Sequence, residues 1–212
     1  MRSKQGFLAV AASSFLLTAA ANASGVDMNE SRRALGREDN IRIDAQLSQD
    51  TVSPGMAIGV TYQIQNFTGS TVAVADKVSG ATYDPDSQTI TFAIGSEVPG
   101  DVLPHLVTIA PGERKVFRTA ATPSLAVSAT RESFAIVPRY VQVKVTILRD
   151  LAPFVALIQN QARGRQRLPD DLFDRWLESS DTIFLNTLPV GWSPRSGSGT
   201  ADASQRNARG GW

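Results

Sequence analysis

Apolar and polar side chains alternate along residues 56–65, and this pattern constrains the fold more than any other feature of the chain. Successive side chains of a β-strand point to opposite faces, so the spacing predicts a strand with one buried face. The following residues, 66–69, accept turn geometry, and a second β-rich run passes through Val72 and Val74. We therefore predict a β-hairpin over residues 56–77. The apolar positions of its first strand are Met56, Ile58, Val60, Tyr62 and Ile64.

The same alternation recurs along the chain. Residues 41–47 and 140–148 each predict a strand, and residues 81–94 predict a second hairpin around Asp84-Pro85-Asp86-Ser87. Pro111 and Gly112 stand at the two corner positions of a type II turn. About eight short strands separated by turn signals are typical of an immunoglobulin-like antiparallel β-sandwich.

The pattern changes after Pro153. Leu168-Pro169-Asp170-Asp171 is typical of a helix start, and Leu172, Phe173, Trp176 and Leu177 lie on one helical stripe. We expect residues 41–192 to form the sandwich with a short C-terminal helical segment, and Trp176 to lie in a core. Residues 193–212 are rich in Gly, Ser and Arg, a composition that predicts a disordered tail.

Residues 1–23 have the pattern of a signal peptide. Arg2 and Lys4 precede an apolar run, and Ala21-Asn22-Ala23 predicts cleavage before Ser24. The run is shorter than the roughly 20 residues of a spanning helix, so we expect a periplasmic or secreted protein with no transmembrane segment in the mature chain. Residues 24–40 are polar and predict a lead-in to the fold.

The net charge narrows the possible partners, and the cysteine content indicates how the fold is stabilised. Without Arg2 and Lys4 the formal net charge falls from +1 to −1, which gives no broad electrostatic reason to bind nucleic acid. The chain contains no cysteine, so its stability must come from packing rather than from disulfides.

No motif in the sequence predicts catalysis. His105 is the one histidine, whereas catalytic triads and most zinc sites need histidine with defined partners. We therefore expect a non-enzymatic protein with no catalytic residues, metal or cofactor. Asp84 and Asp86 predict a turn rather than a calcium loop. Asn66-Phe67-Thr68 matches the N-glycosylation pattern, and its place in the predicted turn implies that Asn66 is exposed.

The candidate contacts therefore lie on loops, where such scaffolds usually carry function. We expect two segments to bind another envelope protein or a surface component. One is a long loop with two acids, and the other is a basic segment. An alternative hypothesis is a carboxylate-dependent hydrolase that uses the two acids. The acids are Glu97 and Asp101, and the basic segment has Arg163, Arg165 and Arg167.

The chain resembles exported bacterial immunoglobulin-like β-sandwich proteins of unassigned function. Its strand order, the Pro111-Gly112-Glu113 turn, Arg131-Glu132-Ser133-Phe134 and the strand from Val141 to Leu148 are also similar to the N-terminal domain of periplasmic pilus chaperones. That resemblance implies an edge-strand binder. Lys144 would anchor the terminal carboxylate of a bound subunit, and the apolar residues beside it would complete the subunit's sheet.

Overall fold

Thirteen strands and three short helical segments form the described part of the chain. The computed structural model describes residues 25–30, 32–75, 78–95, 105–124, 137–161 and 170–193. In chain order the elements are β1 (Arg33–Glu38), β2 (Ile41–Leu47), β3 (Thr51–Val52), β4 (Ile58–Asn66), β5 (Val72–Ala75), β6 (Val78–Asp84), β7 (Thr89–Ile94), β8 (Leu106–Ile109), β9 (Arg114–Ala121), β10 (Tyr140–Leu148), a 3₁₀ turn (Ala152–Phe154), α1 (Val155–Asn160), α2 (Asp170–Glu178), β11 (Ser180–Phe184), β12 (Leu188–Pro189) and β13 (Gly191–Trp192).

Two sheets face each other across one core. The four-stranded sheet has the order β1-β2-β4-β9. The seven-stranded sheet has the order β6-β7-β10-β5-β8, with β11 and β12 also paired to β10. Strands β3 and β13 form a separate two-stranded sheet, and Val52 and Trp192 pack against the same core. Most neighbours are antiparallel, but β7 pairs with β10 in parallel. Strand β10 is the central strand of the larger sheet, because it pairs with β5, β7, β11 and β12.

The alternation in the sequence explains which side chains form this core. Ile58, Val60, Tyr62 and Ile64 on β4 are at most 1% exposed and contact the inward side chains of the other sheet. Tyr62 also stacks on Phe117 of β9, with ring centroids 4.9 Å apart. Burial of these apolar faces is the main favourable contribution to folding. The predicted mainly-β sandwich with a late helix is confirmed.

A helical layer covers part of the outer face of the seven-stranded sheet. Trp176 of α2 is 2% exposed and packs edge-to-face on Phe154, with ring centroids 5.7 Å apart. Beneath them lie small side chains, Ala73 and Ala75 of β5. The prediction that Trp176 lies in a core is therefore confirmed.

The predicted hairpin over residues 56–77 is wrong, because β4 and β5 belong to different sheets. β5 pairs with β8 and β10 instead of β4. Its four residues, Val72–Ala75, are all buried, since the core lies on one face and the helical layer covers the other. The run Val-Ala-Val-Ala has no polar alternate position, which is typical of a strand covered on both faces.

Part of the predicted lead-in is a strand. Residues Arg33–Glu38 form β1, which pairs with β2 along its whole length. Gly36 lets β1 approach β11 closely, because a Cβ at this position would lie 3.0 Å from both Ile183 Cγ2 and the carbonyl oxygen of Phe184. Asn186 completes this contact by accepting the N–H of Leu35 and donating to its carbonyl.

Substitution Gly36→Ala tests the close approach of β1 and β11. The new methyl group would force the two strands apart, and we expect a loss of about 1–3 kcal/mol of unfolding free energy in urea titrations. Gly80→Ala is the matched control, since a Cβ at Gly80 of β6 meets nothing within 4 Å. Equal stability losses in the two variants would contradict the packing described here.

Candidate functional site

Lys144 is the one predicted contact residue that the structure describes. The others lie outside the described residues: Glu97, Asp101, Arg163, Arg165 and Arg167. Residues 1–24, 131–134 and 194–212 lie outside them as well. The loop contacts and the hydrolase hypothesis therefore stay predictions.

Lys144 lies at the centre of the seven-stranded sheet. Its backbone pairs with Ala93 of β7 on one side and with Phe184 of β11 on the other. Its side chain is half-buried on the outer face of the sheet. Since β10 is paired on both sides at this point, an incoming strand has no edge to join beside Lys144.

Asn66 is fully buried, so the expectation that it is exposed is wrong. Its Nδ2 donates to the carbonyl oxygens of Ser70 at 2.8 Å and Ile109 at 3.0 Å. Its Oδ1 accepts the N–H and the hydroxyl of Thr68. The nitrogen that a glycan would modify thus holds the end of β4 against the end of β8.

The predicted turn and second hairpin are confirmed, and the acids Asp84 and Asp86 lie in the turn. Asp84 Oδ1 accepts the N–H of Asp86, and Oδ2 accepts the hydroxyl of Ser87. These bonds, the Ser87 hydroxyl first, lower the pKa of Asp84. Strands β6 and β7 pair on either side. In the part of the chain that the structure describes, no three acids or histidines come together as a metal site.

The outer face of the four-stranded sheet carries a concentration of cations that the sequence analysis missed. Side chains of register partners in neighbouring strands lie on the same face of a sheet. The register therefore groups arginines from three strands on the face opposite to the core, which we name the arginine face. Its arginines are Arg33 and Arg37 of β1, Arg42 of β2, and Arg114 and Arg118 of β9.

One cross-strand row of this face holds three of the five arginines. Arg37, Arg42, Gln65 and Arg114 are successive register partners across all four strands. Neighbouring strands lie about 4.8 Å apart, so the row spans about 14 Å. Arg37 and Arg114 are exposed, and the side chain of Arg42 is 31% exposed. The row therefore presents three permanent cations, with an amide between the last two.

Asp44 is the single acid on the strand positions of this face, and it is buried beneath two of the arginines. Arg42 donates to its carboxylate from Nε at 2.9 Å and from Nη2 at 3.1 Å. Arg33 Nε lies 3.1 Å from Oδ1 as an ion pair without the alignment of a hydrogen bond. The carboxylate fixes both guanidinium groups but balances only one of their charges.

The segment of residues 25–30 crosses the face beside the arginine row. A Cβ at Gly25 would lie 3.4 Å from Gln63 Oε1, and Val26 is 5% exposed. The N–H of Asp27 donates to Gln46 Oε1. Gln63 and Gln46 belong to neighbouring rows, so this segment covers the middle of the face. Arg37 and Arg114 lie outside the covered part and are exposed.

Glu113 borders the arginine row but is held by its own turn. Its Oε2 accepts the N–H of Ala110 at 2.7 Å, and this bond, with Lys115 nearby, lowers the pKa of Glu113. Gly112 has a φ of 76°, and Glu113 N–H donates to the Ala110 carbonyl, which confirms the predicted type II turn. The carboxylate therefore stabilises the turn that begins β9.

A small cavity lies at one end of the sandwich. It is lined by Glu30, Arg32 and Asp50, among other residues, and has a volume of about 40 Å³. That volume admits a few water molecules but no organic substrate. The arginine face is a better candidate for a functional site than this cavity, because it concentrates cations from three strands. Guanidinium and amide groups suit carboxylates and other planar oxyanions, which they bind by paired hydrogen bonds.

Two features of the sequence hid the arginine face. The formal net charge of +1 averages over the whole surface, whereas the fold places these five arginines on one side. The second feature is β1, since the polar composition of residues 24–40 predicts a lead-in rather than a strand. The available signal was the alternation of the large residues Arg33, Leu35 and Arg37 with the small residues Ala34 and Gly36.

No protein-family model, curated protein or solved structure matches the chain. Within the described ranges, no helix has the length and apolar character needed to cross a membrane.

Substitution Asn66→Asp tests the buried amide. An acidic oxygen would replace the group that donates to Ser70 and Ile109, so we expect a loss of about 3 kcal/mol of unfolding free energy in urea. Thr68→Val also destroys the glycosylation pattern but keeps the amide, and it should cost about 1 kcal/mol. An Asn66→Asp variant as stable as the Thr68→Val variant would contradict the role of the amide.

Substitution Asp44→Ala tests the ion cluster of the arginine face. It leaves two partly buried cations without their counter-ion, and we expect a loss of about 2–3 kcal/mol of unfolding free energy. Asp50→Ala is the control, since its ion pair with Arg32 is exposed and should contribute less than about 1 kcal/mol. Chemical denaturation measures both. Similar losses for the two variants would show that Asp44 is no more important than a surface acid.

Proposed function

We propose that the chain is an exported, non-enzymatic binding module whose arginine face holds an acidic partner protein of the cell envelope. One observation carries this proposal: the register of four strands places five arginines and a single acid on the strand positions of one face. An acidic partner would complement that excess of positive charge, which is how charged patches select partners and raise association rates.

The geometry of the arginine row supports recognition of a partner with a defined spacing of carboxylates, in addition to attraction by net charge. Its arginines come from β1, β2 and β9, so their backbones are fixed by the sheet. Asp44 also restrains the guanidinium of Arg42 by two hydrogen bonds. Groups that are ordered before binding lose less conformational entropy when a partner binds. The proposal thus needs a partner that presents several carboxylates over about 14 Å.

The alternative of an edge-strand binder at Lys144 is less well supported. Its strand is paired on both sides at that residue, whereas the arginine row lies on the other sheet and is open at Arg37 and Arg114. We therefore place the partner on the four-stranded sheet.

Binding of poly-L-glutamate to the immobilised chain, measured by biolayer interferometry at low salt, tests the proposed function. The double substitution Arg37→Glu with Arg114→Glu removes two exposed cations of the row. Each exposed contact contributes about 0.5–1 kcal/mol, so we expect the Kd to rise about five- to thirtyfold. Raised salt should weaken binding to the native chain, because exposed charges are screened.

Arg175→Glu with Arg139→Glu is the matched control, since both residues are exposed and lie off the arginine face. This control has the same net charge as the test variant. If both variants lost the same affinity, the total charge of the molecule rather than the arginine face would govern binding. Equally tight binding of DNA to the native face, sensitive to the same two substitutions, would also contradict an acidic protein as the partner.

A further inference from the structure

We propose that the acidic partner of the arginine face is a second copy of this chain, which docks by the outer surface of α2. This inference rests on the proposed function, since it uses the same face, and it adds the identity of the partner. We name the docking surface the acidic helix surface, and its residues are Asp171, Phe173, Asp174, Leu177 and Glu178.

The helical period of α2 places three acids on the side away from the core. Trp176 is buried, whereas Asp171, Asp174 and Glu178 are exposed. These acids are three and four residues apart, so they form one stripe. Within the described residues, none of them makes an ion pair or a side-chain hydrogen bond. The stripe is therefore negative, since Arg175 is the one cation in the sequence of α2 and can balance only one acid.

The spacing of these acids is close to that of the arginine row. A helix rises about 1.5 Å per residue, so Asp171 and Glu178 lie about 10 Å apart along its axis. The arginine row spans about 14 Å. Arginine and glutamate have long side chains that can lean across the difference of about 4 Å. Three carboxylates can therefore face the three guanidinium groups of the row, a pairing that gives strong charged hydrogen bonds.

Exposed apolar side chains border the charged groups on both surfaces. On α2, Phe173 is 38% exposed and Leu177 is 55% exposed. On the arginine face, Leu35 is 41% exposed and lies next to Arg33 on the outward positions of β1. Met28 is 45% exposed, and its carbonyl accepts a hydrogen bond from Arg33. A helix with acids beside apolar groups can cover both kinds of exposed side chain, and α2 has this composition.

The two surfaces lie on opposite sides of the sandwich. The arginine face is the outer face of the four-stranded sheet, whereas the helical layer covers the outer face of the seven-stranded sheet. They cannot meet within one molecule, and the net charge of +1 gives little repulsion between copies. A copy bound by its helix keeps its own arginine face open, so we expect an open head-to-tail assembly instead of a closed symmetric dimer.

Sedimentation velocity of the purified chain tests for this assembly. A contact the size of one short helix belongs to the weak class, so the concentration should run from about 1 μM to about 500 μM. At about 0.1 M salt, we expect the average sedimentation coefficient to rise with concentration. Salt of about 0.5 M should reduce the rise, because exposed charges are screened. A chain that stays monomeric at about 500 μM would overturn the inference.

Two charge-reversed variants identify the surfaces that meet. One carries Arg37→Glu with Arg114→Glu, and the other carries Asp174→Arg with Glu178→Arg. Each variant alone has two surfaces of like charge, so we expect its self-association to weaken at least tenfold. An equimolar mixture should associate again, because each surface then finds one of opposite charge. A mixture that stays monomeric would contradict the pairing of these two surfaces.

Asp50→Arg with Asp86→Arg is the matched control for the helix variant. Both acids are exposed and lie outside the two surfaces, and the control has the same net charge as the helix variant. At about 0.1 M salt the Debye length is about 10 Å, so the control should associate nearly as well as the native chain. A loss in the control equal to that in the helix variant would overturn the inference, because total charge would then govern association.

A spin label gives a second readout that leaves the acids in place. The chain has no cysteine, so Arg175→Cys provides a single labelling site at the border of the acidic stripe. Spin-labelled copies are mixed with unlabelled, nitrogen-15-enriched copies, and NMR detects only the enriched copies. We expect the amides of Leu35, Arg37 and Arg42 to broaden most. Broadening centred on Lys144 instead would overturn the inference.

The two proposals fail in different ways. If Arg37→Glu with Arg114→Glu weakens poly-L-glutamate binding while the native chain stays monomeric, the partner is not a second copy and the arginine face stands. If these substitutions weaken neither poly-L-glutamate binding nor self-association, both proposals are overturned. Thermal unfolding of each variant near the native temperature shows that lost association does not come from unfolding, and the spin-label experiment decides the question for a variant that unfolds.

Discussion

The side-chain hydrogen bonds of Asn66 join the two sheets at one end, and the remainder of the fold depends on this junction. They hold the end of β4 against the end of β8, at the point where the chain leaves one sheet for the other. The backbone bond from Asn66 to Glu113 then determines which residues of β9 pair with β4. A shift of one residue would turn every inward side chain of a strand to the outer face. The core and the arginine face are therefore two consequences of one register.

The arginine face also shows how a nearly neutral chain obtains a charged surface. Strand alternation directs most apolar side chains of this sheet to the core and places arginines from β1, β2 and β9 on the opposite face. Asp44 reduces the repulsion between Arg33 and Arg42 from beneath, where it is 1% exposed. Placing the acid under the arginines preserves the positive charge at the surface, which an acid beside them would screen.

Much of the fold followed from the sequence wherever one face of an element is buried. The alternation along β2, β4 and β10 predicted these strands, because period and burial agree. Of the predicted helical stripe, Trp176 is buried, whereas Phe173 and Leu177 are exposed. The hairpin after β4 failed because local turn residues do not reveal in which sheet the next strand pairs. β1 was missed because Gly36 interrupts its pattern, and that glycine serves a contact with β11, which is distant in sequence.

The candidate site was harder to predict for a related reason. A charged face depends on the pairing of β1 with β2 and of β4 with β9, whereas loops attract attention in a sequence for their composition alone. Lys144 was found from a resemblance, but its place in the central strand gives it a different environment from an edge lysine.

The most direct test of the central claim is chemical-shift mapping by NMR during titration with an acidic peptide. The account predicts that the largest amide shifts lie at Arg37, Arg42, Gln65 and along β9. Shifts concentrated around Lys144 and the helical layer would contradict it, because they would place the partner on the opposite sheet.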